Sequence, residues 1–419
     1  MPTPAGAAAG MLAPAAASGP WAAEGTTGRP AGSPSGVVIF NWRDLLHPEG
    51  GGSELYVEQV AAGLAARGHR VTLFCAAHDN APADETRGDV RIVRRGGRLS
   101  VYLHAALHQL TGRLGDHDVV IDVQNGMPFL SRLYTRRPVV VLVHHVHREQ
   151  WPVVFGPRFA RLGWWVESRL APLVYRSARY VAVSDVTRRE LVALGVRADA
   201  VSVIHNGTAP APATVTSRST TPTLCVLGRL VPHKRIEIAI ETLAALTGEM
   251  PELTLDIVGH GYWDEQLRTR AADLRVADRV TFHGFVDEQT KHEILARSWV
   301  LAVPSLKEGW GLSVMEAALH HVPAVAFASS GGLTESIADG VTGALADDAA
   351  GFLAEVRDLL ADGSARERLG AAAAAHALTF TWQATADAFA EVVEQAAASR
   401  ADGRTWRSTG GRRSCRAGS

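Results

Sequence analysis

From residue 37 onward the chain alternates short, continuous apolar runs with longer segments whose apolar positions recur at three and four residues. Runs at residues 37–40, 71–75, 90–93, 119–122, 139–143, 180–184 and 201–204 are of strand length and rich in Val and Ile, whereas residues 53–67 and 101–113 carry the helical period. Strands separated by helices predict a parallel, doubly wound sheet with both faces covered. After residues 209–223, dense in Pro, Ala, Ser and Thr, the alternation restarts with runs at 224–227, 253–258, 280–282, 299–303 and 324–327. The fold class expected is therefore α/β, with one such domain over residues 36–208, a linker at 209–223 and a second domain over 224–379. Residues 384–397 read as a further amphipathic helix. In open sheets of this kind ligands bind beyond the carboxyl ends of the strands, so two facing domains leave a cleft lined by strand-end loops.

Composition adds limits. The 419 residues are 47% hydrophobic, enough for two cores, and 42 basic against 43 acidic residues give no global pull toward nucleic acid or an anionic bilayer. No apolar run reaches the roughly 18 residues of a spanning helix. Residues 1–35 lack the basic start and apolar stretch of a signal peptide and read as a disordered extension; residues 399–419 read as a disordered basic tail. Cys75, Cys225 and Cys415 form no CxxC pair, which suits a reducing, cytoplasmic setting.

The segment from Glu308 to Glu316, EGWGLSVME, carries the most chemistry. It follows an apolar run, so it reads as strand, loop, helix, with Glu308 in the loop and Glu316 one turn into the helix. Gly309 and Gly311 let backbone approach a ligand, the N–H groups of Gly311, Leu312 and Ser313 suit phosphate, and carboxylates accept from sugar hydroxyls. A sugar joined to a phosphate would fit. Upstream, Arg229 and Lys234 follow the first strand of the second domain. With 39 arginines and three lysines in the chain, a lysine there stands out. A guanidinium and an ammonium together suit a diphosphate leaving group, although the same residues would serve as a solvated turn. Asp116-His-Asp118 spells a metal-binding Asp-x-Asp but sits as an ordinary turn before a strand, and the spacing of His144, His145 and His147 is poor for tetrahedral zinc, so no metal site is expected.

The phrase EGWGLSVMEA resembles the signature of the retaining glycosyltransferases of the GT-B fold, glycosyltransferase family four. The resemblance continues through residues 318–327, Gly331-Gly332-Leu-Thr-Glu335 and Asp339-Gly340-Val-Thr-Gly343, and covers about residues 36 to 398. It implies two Rossmann-like domains facing an interdomain cleft, with residues 380–398 returning as a helix to the N-terminal, acceptor-side domain. It further implies transfer of a hexosyl group, with retention, from a nucleotide-diphosphate sugar to a hydroxyl of a glycan, glycolipid or small metabolite. The nucleotide sugar is a co-substrate and no cofactor is needed. Arg229 and Lys234 would hold the diphosphate, Glu308 the sugar hydroxyls and Glu316 the ribose. Gly51 and Gly52 match a Gly-Gly-x-Glu loop beside the transferred sugar, where Ser53 reads as a helix N-cap, and His144 matches a histidine near that sugar. Gln124, Asn125 and the run 148–151 depart from the family's commoner phrases on the acceptor side. Residues 158–179, with Trp164 and Trp165 among arginines, read either as a packed helix or as an interfacial amphipathic one. A nucleotide-sugar epimerase or hydrolase on the same fold, and a non-catalytic carbohydrate-binding module, are the alternatives; the module would not need the basic pair and both glutamates together.

Overall fold

The computed structural model describes residues 35–213 and 216–401. The expected extension and basic tail lie outside them, apart from Ser35 and the helical residues 399–401. The first sheet contains β1 (Gly36–Phe40), β2 (Arg70–Cys75), β3 (Asp84–Arg87), β4 (Val90–Arg94), β5 (Val119–Gln124), β6 (Val139–Val143), β7 (Arg179–Ala182) and β8 (Val201–Val203). Its spatial order is β3-β4-β2-β1-β5-β6-β7-β8. Only β3 runs antiparallel. The second sheet, β9 (Thr223–Leu227), β10 (Thr254–Val258), β11 (Val280–Gly284), β12 (Val300–Val303), β13 (Ala324–Phe327) and β14 (Gly343–Ala346), is wholly parallel in the order β11-β10-β9-β12-β13-β14.

Around the first sheet lie α1 (Gly52–Ala66), α2 (Val101–Leu110), α3 (Trp151–Val154), α4 (Pro157–Trp165), α5 (Ala171–Val174) and α6 (Asp185–Ala193). The second carries α7 (Glu237–Leu246), α8 (Asp264–Asp273), α9 (Glu288–Arg297), α10 (Leu312–Ala318), α11 (Leu333–Ser336), α12 (Ala349–Ala361) and α13 (Gly363–Ala377). The final helix, α14 (Trp382–Ala401), crosses back and packs on α1, where Arg67 pairs with Asp387.

The central strands form because they can bury both faces: every residue of β1, β5, β6, β12 and β13 is buried. One core lies between the first sheet and the α1/α14 pair, and it takes in Trp310 and Met315 from the second domain. A second lies under α2, α5 and α6 on the opposite face of that sheet. Two expectations need correction. Ser53 is not the N-cap of α1: Gly51 is, and the Glu54 carboxylate accepts from the Gly51 N–H at 2.9 Å, the backward half of a capping box. Thr223, placed in the linker, begins β9 and pairs with Thr254.

Candidate functional site

Each sheet reverses its winding at one point, and the loops leaving its carboxyl edge there diverge and open a crevice. In the second sheet that point lies between β9 and β12. The loop after β9 carries Arg229 and, in a 3-10 turn at Pro232–Lys234, the lysine; the loop after β12 carries Glu308. Leu306 donates its N–H to the His233 carbonyl at 2.8 Å, which ties the loops together. The Lys234 ammonium then donates to Glu308 Oε1. Glu308 is also fixed by its backbone, with its N–H on the Ser330 carbonyl at 3.0 Å and its carbonyl taking the Gly332 N–H at 2.9 Å. Burial would raise the Glu308 carboxyl, but the adjacent Lys234 charge and hydrogen bonds from Lys234 and Ser305 hold it below its ordinary value.

Gly311 precedes α10 at φ 103°, a left-handed conformation that turns the chain sharply from loop into helix. Leu312 and Ser313 open that helix, and Glu316 stands one turn in, its Oε1 2.8 Å from Lys291 Nζ. The same ammonium bonds Glu288 at 2.7 Å. Two expected glutamates thus sit on one motif, each held by its own lysine.

The first domain closes on this motif. A β-carbon built on Gly309 would lie 2.3 Å from the His144 carbonyl oxygen, so only glycine lets the loop pass the end of β6. Leu312 Cδ1 sits 2.9 Å from where a β-carbon on Gly52 would be, and Arg229 Nε 3.6 Å from the same point on Gly51. The Gly51-Gly52 loop, Arg229 and the start of α10 therefore face one another. Glu54, wholly buried, anchors that loop: it accepts from Arg43 Nε at 3.1 Å as well as from Gly51. Burial lowers the Arg229 guanidinium from its ordinary value, and the neighbouring Arg43 charge adds to the effect.

His144 is buried at the end of β6, its ring edge-on to Tyr56 at 5.4 Å. Burial pushes it down to about 4, with Glu54 opposing, so the imidazole is neutral near pH 7. Its Nε2 has no hydrogen-bond partner. Burial likewise takes His233 to about 4, helped by Lys234 and Arg229.

Several residues at this junction carry no role in the sequence reading, although Glu335 and Trp310 lie within the phrases that mark the resemblance. The Glu335 carboxylate crosses to α6, accepting the N–H groups of Asp185 at 2.9 Å and Val186 at 2.6 Å. Lys307 pairs with Glu190 on the same helix. Trp310 is buried beside His205 and Phe380, with ring centroids 4.5 Å and 4.8 Å away. The rarity that marked Lys234 applies equally to Lys291 and Lys307: all three lysines of the chain end on carboxylates at or beside the cleft. That signal was available. By contrast Asp118 accepts from the Gly36 N–H at 2.9 Å, at the amino edge of the sheet and away from the cleft. Among the described residues no group of three or more His, Cys, Asp or Glu is arranged to hold a metal.

Comparison with known proteins gives two family matches that meet at the linker. The family of glycosyl transferases group 1 matches residues 211–376, and glycosyltransferase family 4 matches residues 50–211. A D-inositol 3-phosphate glycosyltransferase of Streptomyces avermitilis is 35% identical over 176 residues, covering 39% of this chain and 38% of that protein. The chain thus matches about two fifths of that relative's length. A protein of the same name from Kineococcus radiotolerans is 28% identical over 407 residues, covering 84% of this chain and 92% of its own. Among solved structures, a sucrose-phosphate synthase from Thermosynechococcus elongatus superposes with a TM-score of 0.71 at 21% identity, covering 87% of this chain and 100% of that one. HepE from Anabaena, in complex with UDP and glucose, gives 0.68 at 19% identity, covering 86% and 100%. At these identities the superpositions establish the fold.

Proposed function

Because this chain belongs to the glycosyltransferases of the GT-B fold, matching the group 1 and family 4 models in succession, we propose that it moves a hexosyl group from a nucleotide-diphosphate sugar to a hydroxyl acceptor, with retention. The observation that carries the reading is the contact of Lys234 with Glu308 across the switch point of the second sheet, in the same cleft where Arg229 and Leu312 face the Gly51-Gly52 loop. An ammonium beside a sugar-binding carboxylate puts positive charge where the bond between sugar and phosphate breaks. The solved HepE complexes with UDP and UDP-glucose support a donor of this class.

In this reading Arg229 and Lys234 take the diphosphate, and the N–H groups of Gly309, Gly311, Leu312 and Ser313 complete its cradle. Their effect is largest as negative charge builds on the leaving group, so they lower the barrier more than they tighten substrate binding. Glu308 accepts from the sugar hydroxyls, Glu316 from the ribose, and neutral His144 offers Nε2 to the transferred sugar. The departing phosphate, held by the basic pair, takes the proton of the acceptor hydroxyl as the new glycosidic bond forms on the same face. Gly51 and Gly52 shape the wall between donor and acceptor.

Thermal-shift measurements with UDP, GDP and ADP test the reading. A nucleoside diphosphate at 100 times its dissociation constant stabilises the protein by about 2.7 kcal/mol. One of the three is expected to do so, and the matching nucleotide sugar to be consumed only when acceptor is supplied. Absence of a shift with all three at millimolar concentration would sink the proposal, and donor conversion without acceptor would favour an epimerase or hydrolase.

A further inference from the structure

The outer layer of the first domain exposes apolar side chains where a soluble helix would carry polar ones. On α2, Leu103, Leu107 and Leu110 continue a line from Leu99, and Leu103 is 75% exposed. On α4, Phe159, Leu162 and Trp165 form a second line, with Phe159 71% exposed. Both helices lie on one side of the sheet, since Val101 and Ala105 of α2 and Trp164 of α4 pack in the same core, and residues 127–137 bridge them: Tyr102 of α2 packs on Phe129, and Ser131 donates its N–H to the Tyr175 hydroxyl just past α5. The apolar lines are therefore parts of one face. Exposed apolar side chains in this number on one side of a domain mark an interaction site.

Charge on that face is equally uneven. The segments that carry and bridge the apolar lines, residues 98–113, 127–137 and 151–179, hold ten arginines and one acidic residue, Glu167. Glu167 is buried, accepting from the Trp151 indole at 2.7 Å and paired with His147. The rest of the chain holds 32 basic and 42 acidic residues, so the near-neutral total hides a strongly cationic side. Arg158, Arg161, Arg169 and Arg176 are all exposed along α4 and the turns that follow.

We propose that this face docks the protein on the surface of an anionic lipid bilayer. Apolar side chains flanked by arginines, in segments whose single acid is buried, fit the boundary between acyl chains and anionic headgroups. A second copy of the chain fits poorly, because it would bring the same ten arginines into opposition. No helix among the described residues is long and apolar enough to cross a membrane, so the contact is peripheral. The face starts at the cleft rim, where α3 touches the turn that carries Lys234, and docking therefore brings the cleft mouth near the headgroups. The inference stands on the surface alone, whatever the acceptor.

The test is sedimentation of the full-length chain with vesicles of phosphatidylcholine alone and with vesicles that include phosphatidylglycerol. Binding is expected only to the anionic vesicles and is expected to weaken with added salt. Near such a surface one arginine contributes roughly fivefold in partitioning, so a triple variant R158Q/R161Q/R169Q is expected to bind roughly 100-fold more weakly. The apolar triple variant F159S/L162S/W165S tests insertion separately, and its circular dichroism checks the fold. Failure of the folded wild type to bind anionic vesicles overturns the proposal. So does unchanged binding by both triple variants, which would move the contact elsewhere on the chain, or a dimer in sedimentation velocity that the apolar variant dissociates.

Discussion

Lys234→Ala removes a group that touches Glu308 and faces the expected diphosphate, and these roles make separable predictions. If Lys234 stabilises the leaving group, its loss costs about 2.7–4 kcal/mol of transition-state stabilisation, a 100- to 1,000-fold fall in kcat. If it only neutralises Glu308, the damage passes entirely through that carboxylate, whose value Lys234 holds down. A double-mutant cycle with Glu308→Gln separates the cases. With kcat read from nucleoside diphosphate release at saturating donor, K234A is expected to remain strongly damaging in the E308Q background, the coupling being about 0.5–3 kcal/mol and smaller than the whole effect. Nucleoside diphosphate affinity, measured by calorimetry, is expected to fall as well, because that ligand lacks the sugar and does not need Glu308. A folded K234A enzyme within about threefold of wild type would refute the leaving-group role. So would a double variant no slower than E308Q.

Glu316→Ala is expected mainly to raise the donor KM and weaken free nucleoside diphosphate, whereas Glu308→Ala mainly lowers kcat and leaves that affinity nearly unchanged; equal weakening in calorimetry would overturn the ribose and sugar assignments. Transfer is expected to continue in excess chelator, and full loss restored by magnesium or manganese would contradict the basic-pair account. His144 should report on acid stability. Its folded value of about 4 lies below the ordinary 6.5, so below pH 6.5 the unfolded chain takes up a proton that the native state refuses. Stability is therefore lost as pH falls from 6.5 toward 4, by roughly 3 kcal/mol from this group. A His144 imidazole that titrates near 6.5 by NMR, or an unchanged acid slope in H144Q, would be inconsistent with its burial.

Strands buried on both faces were legible because nothing but an apolar run can occupy them: 139–143 and 324–327 were expected at the residues observed. β3 was not, since Asp84–Arg87 has no apolar pattern and is a strand only by pairing with β4. At the cleft, Arg229, Lys234, Glu308 and Glu316 stood out by residue type and spacing. Other contacts of the junction did not: Lys291, the partner of Glu316, lies 25 residues from it, and Glu335 reaches Asp185 across 150. Such contacts belong to tertiary structure, and a single chain shows them only through oddities such as the scarcity of lysine. Residues 158–179, open to two readings, prove to be helical only as far as Val174, with a π-helical stretch at Val166–Leu170, before turning into β7 at Arg179; Trp164 is half-buried and Trp165 exposed.

Trp310 and Met315 belong to the loop and helix of the second domain but pack in the core formed by α1 and α14. The linker is consequently the wrong place to cut when building chimaeras. A C-terminal half severed there and joined to a foreign N-terminal half would bring α14 with it, yet lose the α1 surface on which that helix rests. Exchanging N-terminal halves between relatives requires α14 and the residues around Trp310 to travel with them. The inheritable unit is three segments of chain, not one.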